Sequence, residues 1–508
     1  MKQPGIVYLV GAGPGDAGLI TVKGAQCIRR AEVVVYDYLV NPDLLKLAPH
    51  GAEIVYAGKS GKQHTMSQEE INALLVKKGK AGKVVVRLKG GDPYVFGRGG
   101  EEAEALVAAG LPFEEVPGIS SAIAAPAYAG IPVTHRDFTS AMTVLTGHED
   151  PTKAESAIDW AALAKLNTTR VILMGVGQIA QIANSLLSHG CPKETPVAMI
   201  RWGTTSRQET ITGTLETIAR VAAENKFEAP AVTVIGEVVT LRDHLQWFEK
   251  RPLFHKRIVV TRSRKQASVL SARLAELGAE VIELPTIRIE PTLDKALRET
   301  IQDIGSYDWV VFTSPNGVEH FFEKFFQEFD DIRALGQVRI AAIGPATAEK
   351  VKELHLKVDL QPKDAVSEAV LEEFKAIGSI ENLKFLLPRA DIATDALPAG
   401  LNAMGAIVDE VEAYRTVLET DDPTGARERL RREGGDFLTF TSSSTVENFC
   451  KLLDTPKLVG SFPAMKIASI GPVTSTTAKK LGLTVHVEAT EHTIPGLVEA
   501  ILKASRGA

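Results

Sequence analysis

Apolar residues along this chain gather in runs of four or five, each closing on glycine, serine or proline. Ile6–Val10 is one such run, followed by Gly11-Ala-Gly-Pro-Gly-Asp16. Val84, Val85, Val86 and Leu88 form another, broken by Gly90-Gly91-Asp92-Pro93. Short apolar runs bounded by turn residues predict buried strands. Later in the chain, EAPAVTVIGEVV reads as a closing strand and RIVVTRS as an opening one, and helical patterns end at Gly278 and Gly405. Strands alternating with helices in this way predict an α/β protein.

The segment between the closing and opening strands, residues 248–257, carries Pro252 among charges and suits a short linker. It divides a first block, 1–247, from a second, 258–508. The second block repeats itself. VVFTSPNGVEHFF at Val310–Phe322 returns as LTFTSSSTVENFC at Leu438–Cys450, and IAAIGPATAEKV at Ile340–Val351 returns as IASIGPVTSTTA at Ile467–Ala478. VVTRS at Val259–Ser263 resembles LLPRA at Leu386–Ala390, and the offset stays at 127–128 residues throughout. Two similar α/β units with parallel sheets are expected, with a cleft between them.

At 508 residues the chain exceeds what one core supports, in keeping with that division. Residues 1–250 hold 25 Lys and Arg against 26 Asp and Glu, and the remainder 32 against 37. Neither half has the basic excess of a nucleic-acid binder. No apolar run approaches the ~18–20 residues that span a bilayer, and the amino terminus enters a strand without a signal-peptide layout. Cys27, Cys191 and Cys450 lie far apart, which suggests neither a disulfide framework nor a metal site. A cytoplasmic protein is expected.

The loop after the first strand invites comparison with a dinucleotide fingerprint, but the third glycine would fall at Asp16, and Pro14 removes an N–H that a pyrophosphate needs. An acidic, donor-poor loop suits a cationic ligand without phosphate. At Gly90-Gly91 the backbone lets a ligand approach closely, and Asp92 offers an acceptor. Arg87, Lys89 and Arg98 alternate nearby and predict a cationic rim.

The run VVRLKGGDPYVFGRGGEE at Val85–Glu102 resembles the signature of the tetrapyrrole methyltransferases that use S-adenosylmethionine (SAM). Tyr36–Val40, Ala57–Gly61, Val116–Ser121, Gly130–Arg136 and Val171–Gly175 follow in the order seen in uroporphyrinogen-III C-methyltransferase, and the resemblance covers residues 5–245. It implies two α/β subdomains with SAM in the cleft between them, and a homodimer. It places SAM contacts at Pro14, Gly90, Gly91, Asp92, Val95, Ser120, Ser121, Met174 and Gly203. Val95 stands where the family often has isoleucine, and Ser120-Ser121 where it often has Thr-Ala. Asp37 matches the family's proton acceptor and Lys59 its donor. The implied substrate carries eight carboxylates, for which Arg87, Lys89, Arg98, His135 and Arg136 are candidate partners.

The second block, with its TS-x3-VE and IGPxT turns, resembles uroporphyrinogen-III synthase across residues 257–505. That family closes hydroxymethylbilane into a macrocycle, with inversion of the last ring and without a cofactor. Its terminal segments form one domain and its middle another. Tyr414 aligns with the family's cleft tyrosine, proposed to help the departing hydroxyl. Thr313, Ser314, Thr441, Ser442, Ser443 and Thr474 offer hydroxyls and loop amides for acetate and propionate groups. Together the resemblances imply a bifunctional enzyme that makes uroporphyrinogen III and methylates it twice to precorrin-2, the entry to sirohaem and cobalamin. Two other readings remain open. In one, the second block is a non-catalytic tetrapyrrole-binding module; in the other, the methyltransferase acts on a later corrin.

Overall fold

The computed structural model describes residues 5–506 apart from 59–65, 149–156, 262–263, 293–294, 364–366, 392–394 and 423. Four five-stranded sheets follow one another, interleaved with helices. Strands β1 (Val7–Gly11), β2 (Val33–Tyr36), β3 (Glu53–Tyr56), β4 (Val85–Lys89) and β5 (Phe113–Val116) form the first, in the order β3-β2-β4-β1-β5. Every pairing in it is parallel. Val7, Leu9, Val33 and Val35 enter one core and Val10 and Val34 another. Both faces of the sheet are therefore buried, which is why its strands read as unbroken apolar runs rather than alternating ones.

The second sheet holds β6 (Met142–Thr146), β7 (Thr169–Leu173), β8 (Pro196–Arg201), β9 (Glu209–Thr214) and β10 (Ala231–Ile235), ordered β6-β7-β10-β8-β9. Only β6 and β7 pair in parallel; the other neighbours are antiparallel.

The second block supplies β11 (Arg257–Val260), β12 (Glu280–Glu283), β13 (Ile287–Pro291), β14 (Trp309–Phe312), β15 (Arg339–Ala342), β16 (Lys384–Ala390), β17 (Ile407–Leu418), β18 (Phe437–Phe440), β19 (Lys466–Ser469) and β20 (Val485–Glu488). One sheet is ordered β12-β11-β18-β19-β20 and the other β13-β17-β16-β14-β15. The first combines the ends of the block and the second its middle, as the resemblance implied. The repeat is present, since β11 matches β16, β14 matches β18 and β15 matches β19. It is not the spatial unit, however. Each sheet takes the opening strands of one repeat and the closing strands of the other. The expectation of purely parallel sheets needs one correction, because β13 joins β17 antiparallel at the sheet edge. The two helical patterns end as read: the helix Arg264–Glu276 is followed by Gly278 at φ +96°, and the helix Ala396–Ala403 by Gly405 at φ +85°. Both angles lie in the left-handed region that glycine reaches without strain.

Residues 248–257 are packed rather than free. Phe248 packs at a tilt against Tyr128 and edge-to-face against Phe254, while Leu253 is fully buried in the core beside β11 and donates its N–H to the Leu277 carbonyl. Glu249 accepts from Gln208, Thr210 and Arg242. Among the described residues no helix is long and apolar enough to cross a membrane.

Candidate active sites

Three turns converge at the carboxyl edge of the first sheet, because the register sets the ends of β1, β4 and β5 side by side. Gly11 pairs with Lys89 and Val10 with Val116, so the chain leaves all three strands at one level. Gly91 donates to the Gly13 carbonyl at 2.7 Å, and Gly13 donates back at 3.2 Å. A Cβ on Gly118 would lie 2.2 Å from the Gly91 carbonyl, and one on Gly11 would lie 2.4 Å from the Gly118 Cα. Backbone packing, not flexibility, explains these two glycines. Gly91 differs: its φ is +72°, and a Cβ there would meet nothing nearer than the Ser121 nitrogen at 4.0 Å. That position faces open space.

The space is a cavity of about 1210 Å³. Pro14, Gly90, Gly91, Asp92, Val95, Ser120, Ser121, Met174 and Gly203 all line it, so the structure gathers every residue proposed for SAM around one volume. Ligand sites in α/β proteins lie past strand ends in this way. The far wall is the second sheet, where Met174, Trp202 and Thr204 adopt φ +57°, +49° and +70°. Three non-glycine residues in the left-handed region store strain of order 1–3 kcal/mol each, a pattern that marks ligand-facing loops. Gly203 lacks a side chain for another reason, since a Cβ would lie 2.5 Å from that of Ala125. Asp16, noted in the sequence only as a missing glycine, clamps the two walls. Its N–H donates to the Thr204 hydroxyl at 2.9 Å, and its carboxylate accepts from Tyr128 at 2.8 Å. Burial, then that bond, push the Tyr128 hydroxyl well above its ordinary pKa.

Some expected roles change. Asp92 lines the cavity, but its carboxylate accepts from the N–H groups of Tyr94, Val95 and Gly118, so it braces the turn. Arg87 and Lys89 form no cationic rim. Their side chains are 4% and 5% exposed and converge on Glu102, at 3.1 and 2.9 Å, whose own side chain is fully buried. Burial, then the neighbouring Arg87, lower the Lys89 pKa against the pull of Glu102. The buried glutamate was missed because it falls at the end of a run in which the cations had been read as solvated. Arg98 is exposed and forks onto Glu101 at 2.8 and 2.6 Å. His135 stacks on Phe138, and neither it nor Arg136 lines the cavity.

Asp37 stands just past β2. Its carboxylate accepts from Leu39 N–H at 3.1 Å and Gly90 N–H at 3.3 Å, with Arg87 at 3.7 Å. Its neighbours Tyr38 and Leu39 line the cavity. Lys59 lies outside the described residues.

In the second block, Tyr414 within β17 is 7% exposed and bonds Ser314 Oγ at 3.0 Å. Burial raises its pKa, and the Ser314 bond counteracts this. With Ile287, Ile289, Ala390, Thr313, Asn316 and Thr416 of its own domain it lines a cavity of about 250 Å³, to which the other domain adds Ser444 from the helix Ser443–Leu452. Ser314 and Ser442 cap the helices Pro315–Glu328 and Ser443–Leu452. Thr441 immediately precedes the second cap, and Ser443 accepts from Thr477. Thr474 is 4% exposed, so its hydroxyl is withdrawn from any cleft.

Residues 6–219 match the family model of tetrapyrrole (corrin/porphyrin) methylases, and residues 268–499 that of uroporphyrinogen-III synthase HemD. A porphyrin biosynthesis protein HemD from Ruminiclostridium josui is 38% identical over 508 residues, 99% of each chain. The chain belongs to the methylase–synthase fusions of porphyrin biosynthesis. Within this family, it is also 42% identical to a uroporphyrinogen-III C-methyltransferase of Bacillus subtilis, over 78% of this chain and 82% of that one. A SAM-dependent uroporphyrinogen III methyltransferase of Methanosarcina barkeri is 58% identical over 47% of this chain and 94% of its own. The fusion thus carries a methylase half, whose turns line the large cavity, and a synthase half, which holds the small one.

Proposed function

We propose that the synthase half converts hydroxymethylbilane to uroporphyrinogen III and that the methylase half transfers two methyl groups to it, giving precorrin-2. The observation that carries this reading is the convergence of all nine proposed SAM contacts on one cavity in a chain with a fusion relative of full length. The cavity fits SAM: Gly91 leaves it open, the left-handed Met174 backbone faces it, and no phosphate-binding nest is needed. SAM supplies a methyl already activated by its sulfonium. The chain's task is to align that methyl with a nucleophilic ring carbon and to exclude water. Attack by the ring carbon would form a C–C bond as the methyl–sulfur bond breaks and S-adenosylhomocysteine leaves, and the cationic ring would then shed a proton. Asp37, at the cavity's edge and held as an acceptor by two backbone N–H groups, takes that proton. Lys59 is the proposed donor.

In the synthase half, Tyr414 and Ser314 supply a hydroxyl pair to the departing hydroxyl. Closure then requires orientation and anion binding rather than a cofactor. Arg98, His135 and Arg136 remain candidates for substrate carboxylates across a homodimer. A cytoplasmic location fits the reading.

The test is to give the whole chain hydroxymethylbilane and SAM with no other protein and to identify the product. Precorrin-2 is expected. Bilane cyclising only to the uninverted isomer would remove the synthase assignment, and uroporphyrinogen III accumulating with SAM present would remove the methylase one.

A further inference from the structure

The large cavity is walled by both halves of the fusion. Beyond the methylase residues, β12 and the helices Arg264–Glu276 and Ala426–Glu433 of the synthase half close its outer side. Two ion pairs hold β12 there: Lys46 to Glu283 at 2.7 Å and Arg207 to Glu280 at 3.5 Å. At about 1210 Å³, the space exceeds the ~300–1,000 Å³ that a single small ligand usually occupies, so a second, larger molecule can sit beside SAM.

The charge of this shared wall is the second observation. Arg207, Arg251, Arg429 and Arg432 line it, with Arg257 bonded behind them, against Glu276, Glu280 and Glu433. Four guanidiniums face three carboxylates on this wall, and a fifth, Arg257, draws on two of those carboxylates from behind. Glu280 alone serves Arg207, Arg257 and Arg429, and Glu433 serves Arg257, Arg429 and Arg432. The acids of the inner wall are committed elsewhere: Asp16 to Tyr128, Asp43 to Lys46, and Asp92 to its own turn. The methylase half, in turn, has spent Arg87 and Lys89 on Glu102. Its guanidinium on this cavity is Arg207, over the ring of Trp202, and the connecting segment adds Arg251, over that of Trp247.

Arg432 is the most exposed of these guanidiniums, its side chain 67% accessible against 42% for Arg207, 23% for Arg429 and 19% for Arg257. Among the described residues it pairs with Glu433, a carboxylate shared three ways, and Glu428 and the methylase side's Tyr38 lie within electrostatic reach. A guanidinium has five N–H donors, so most of its capacity is unspent. We infer that the synthase half completes the methylase's substrate site, with Arg432 receiving a carboxylate of the polyanionic tetrapyrrole while its ring is methylated. This rests on the proposed methylase activity.

The test uses the full chain with added uroporphyrinogen III and saturating SAM. Arg432→Glu and Arg432→Ala should raise KM for the tetrapyrrole about 5- to 20-fold, leaving kcat and SAM affinity within about twofold. Arg432→Lys should recover much of the loss, and turnover of hydroxymethylbilane should not change. The wild-type KM should rise with salt more steeply than that of Arg432→Ala. A wild type that methylates while both variants keep its KM would overturn this inference alone, as would a fall confined to kcat. A wild type that does not methylate added uroporphyrinogen III would overturn the methylase reading beneath it.

Discussion

Replacing Gly91 by alanine separates the ligand cradle from the fold that builds it. The residue sits at φ +72°, where a side chain costs about 1–2 kcal/mol. Its new Cβ would meet no protein atom within 4.0 Å, so no steric term adds to that strain. A domain holds about 5–15 kcal/mol of stability, and at 2–4 °C per kcal/mol the melting point should fall by roughly 2–8 °C, leaving the protein folded. The methyl instead enters the volume assigned to SAM. Displacing the ligand from a close backbone approach should weaken binding by about 100-fold, or about 2.7 kcal/mol. Gly118→Ala is the contrasting variant. Its Cβ would lie 2.2 Å from the Gly91 carbonyl, so the three-turn cluster itself must shift and folding should fail first. Calorimetric titration with SAM, beside a thermal melt, reads both quantities. Gly91→Ala with wild-type SAM affinity would refute the placement of the ligand against this turn, whatever its stability.

Asp37→Ala should keep SAM affinity and lose about 10²–10⁴-fold in methylation rate, measured with added uroporphyrinogen III; near-normal turnover would remove it as proton acceptor. Glu102→Gln removes the carboxylate between buried Arg87 and Lys89 and leaves, among the described residues, only Asp37, 3.7 Å from Arg87, to balance them, so a loss of about 3–5 kcal/mol and a melting point lower by roughly 10 °C are expected. Tyr414→Phe should cut synthase turnover by about 10²-fold with methylation unchanged, an outcome that product analysis with each substrate alone resolves. Glu433 is opposed by burial, but Arg432, Arg429 and Arg257 outweigh it and hold its carboxyl below the ordinary 4.5. A depressed folded pKa means its stabilisation is complete above the ordinary value and is lost as pH falls through the lowered one. Melting points taken from about pH 6 down to about pH 3 should therefore drop less steeply in Glu433→Gln than in the wild type.

What the sequence determined by itself was local. Strands buried on both faces must read as continuous apolar runs, and Gly278 and Gly405 mark helix ends because left-handed backbone there excludes a side chain at little cost only for glycine. The residues proposed for SAM were legible only through the resemblance of their motifs, in order along the chain, to those of the tetrapyrrole methyltransferases. Tertiary structure alone decided three things. The exchange of repeat halves between the two synthase sheets depends on which strand pairs with which, and β11 bonds equally well in principle to strands from either repeat. The fate of Arg87 and Lys89 depended on one glutamate brought under the sheet from the following helix, since a charge reads as solvated until its counter-ion is located. The shared wall depended on contacts between distant parts of the chain, such as Lys46 with Glu283, 237 positions apart, that no local pattern encodes. Periodicity reports which face of an element avoids water, but not which other element covers it.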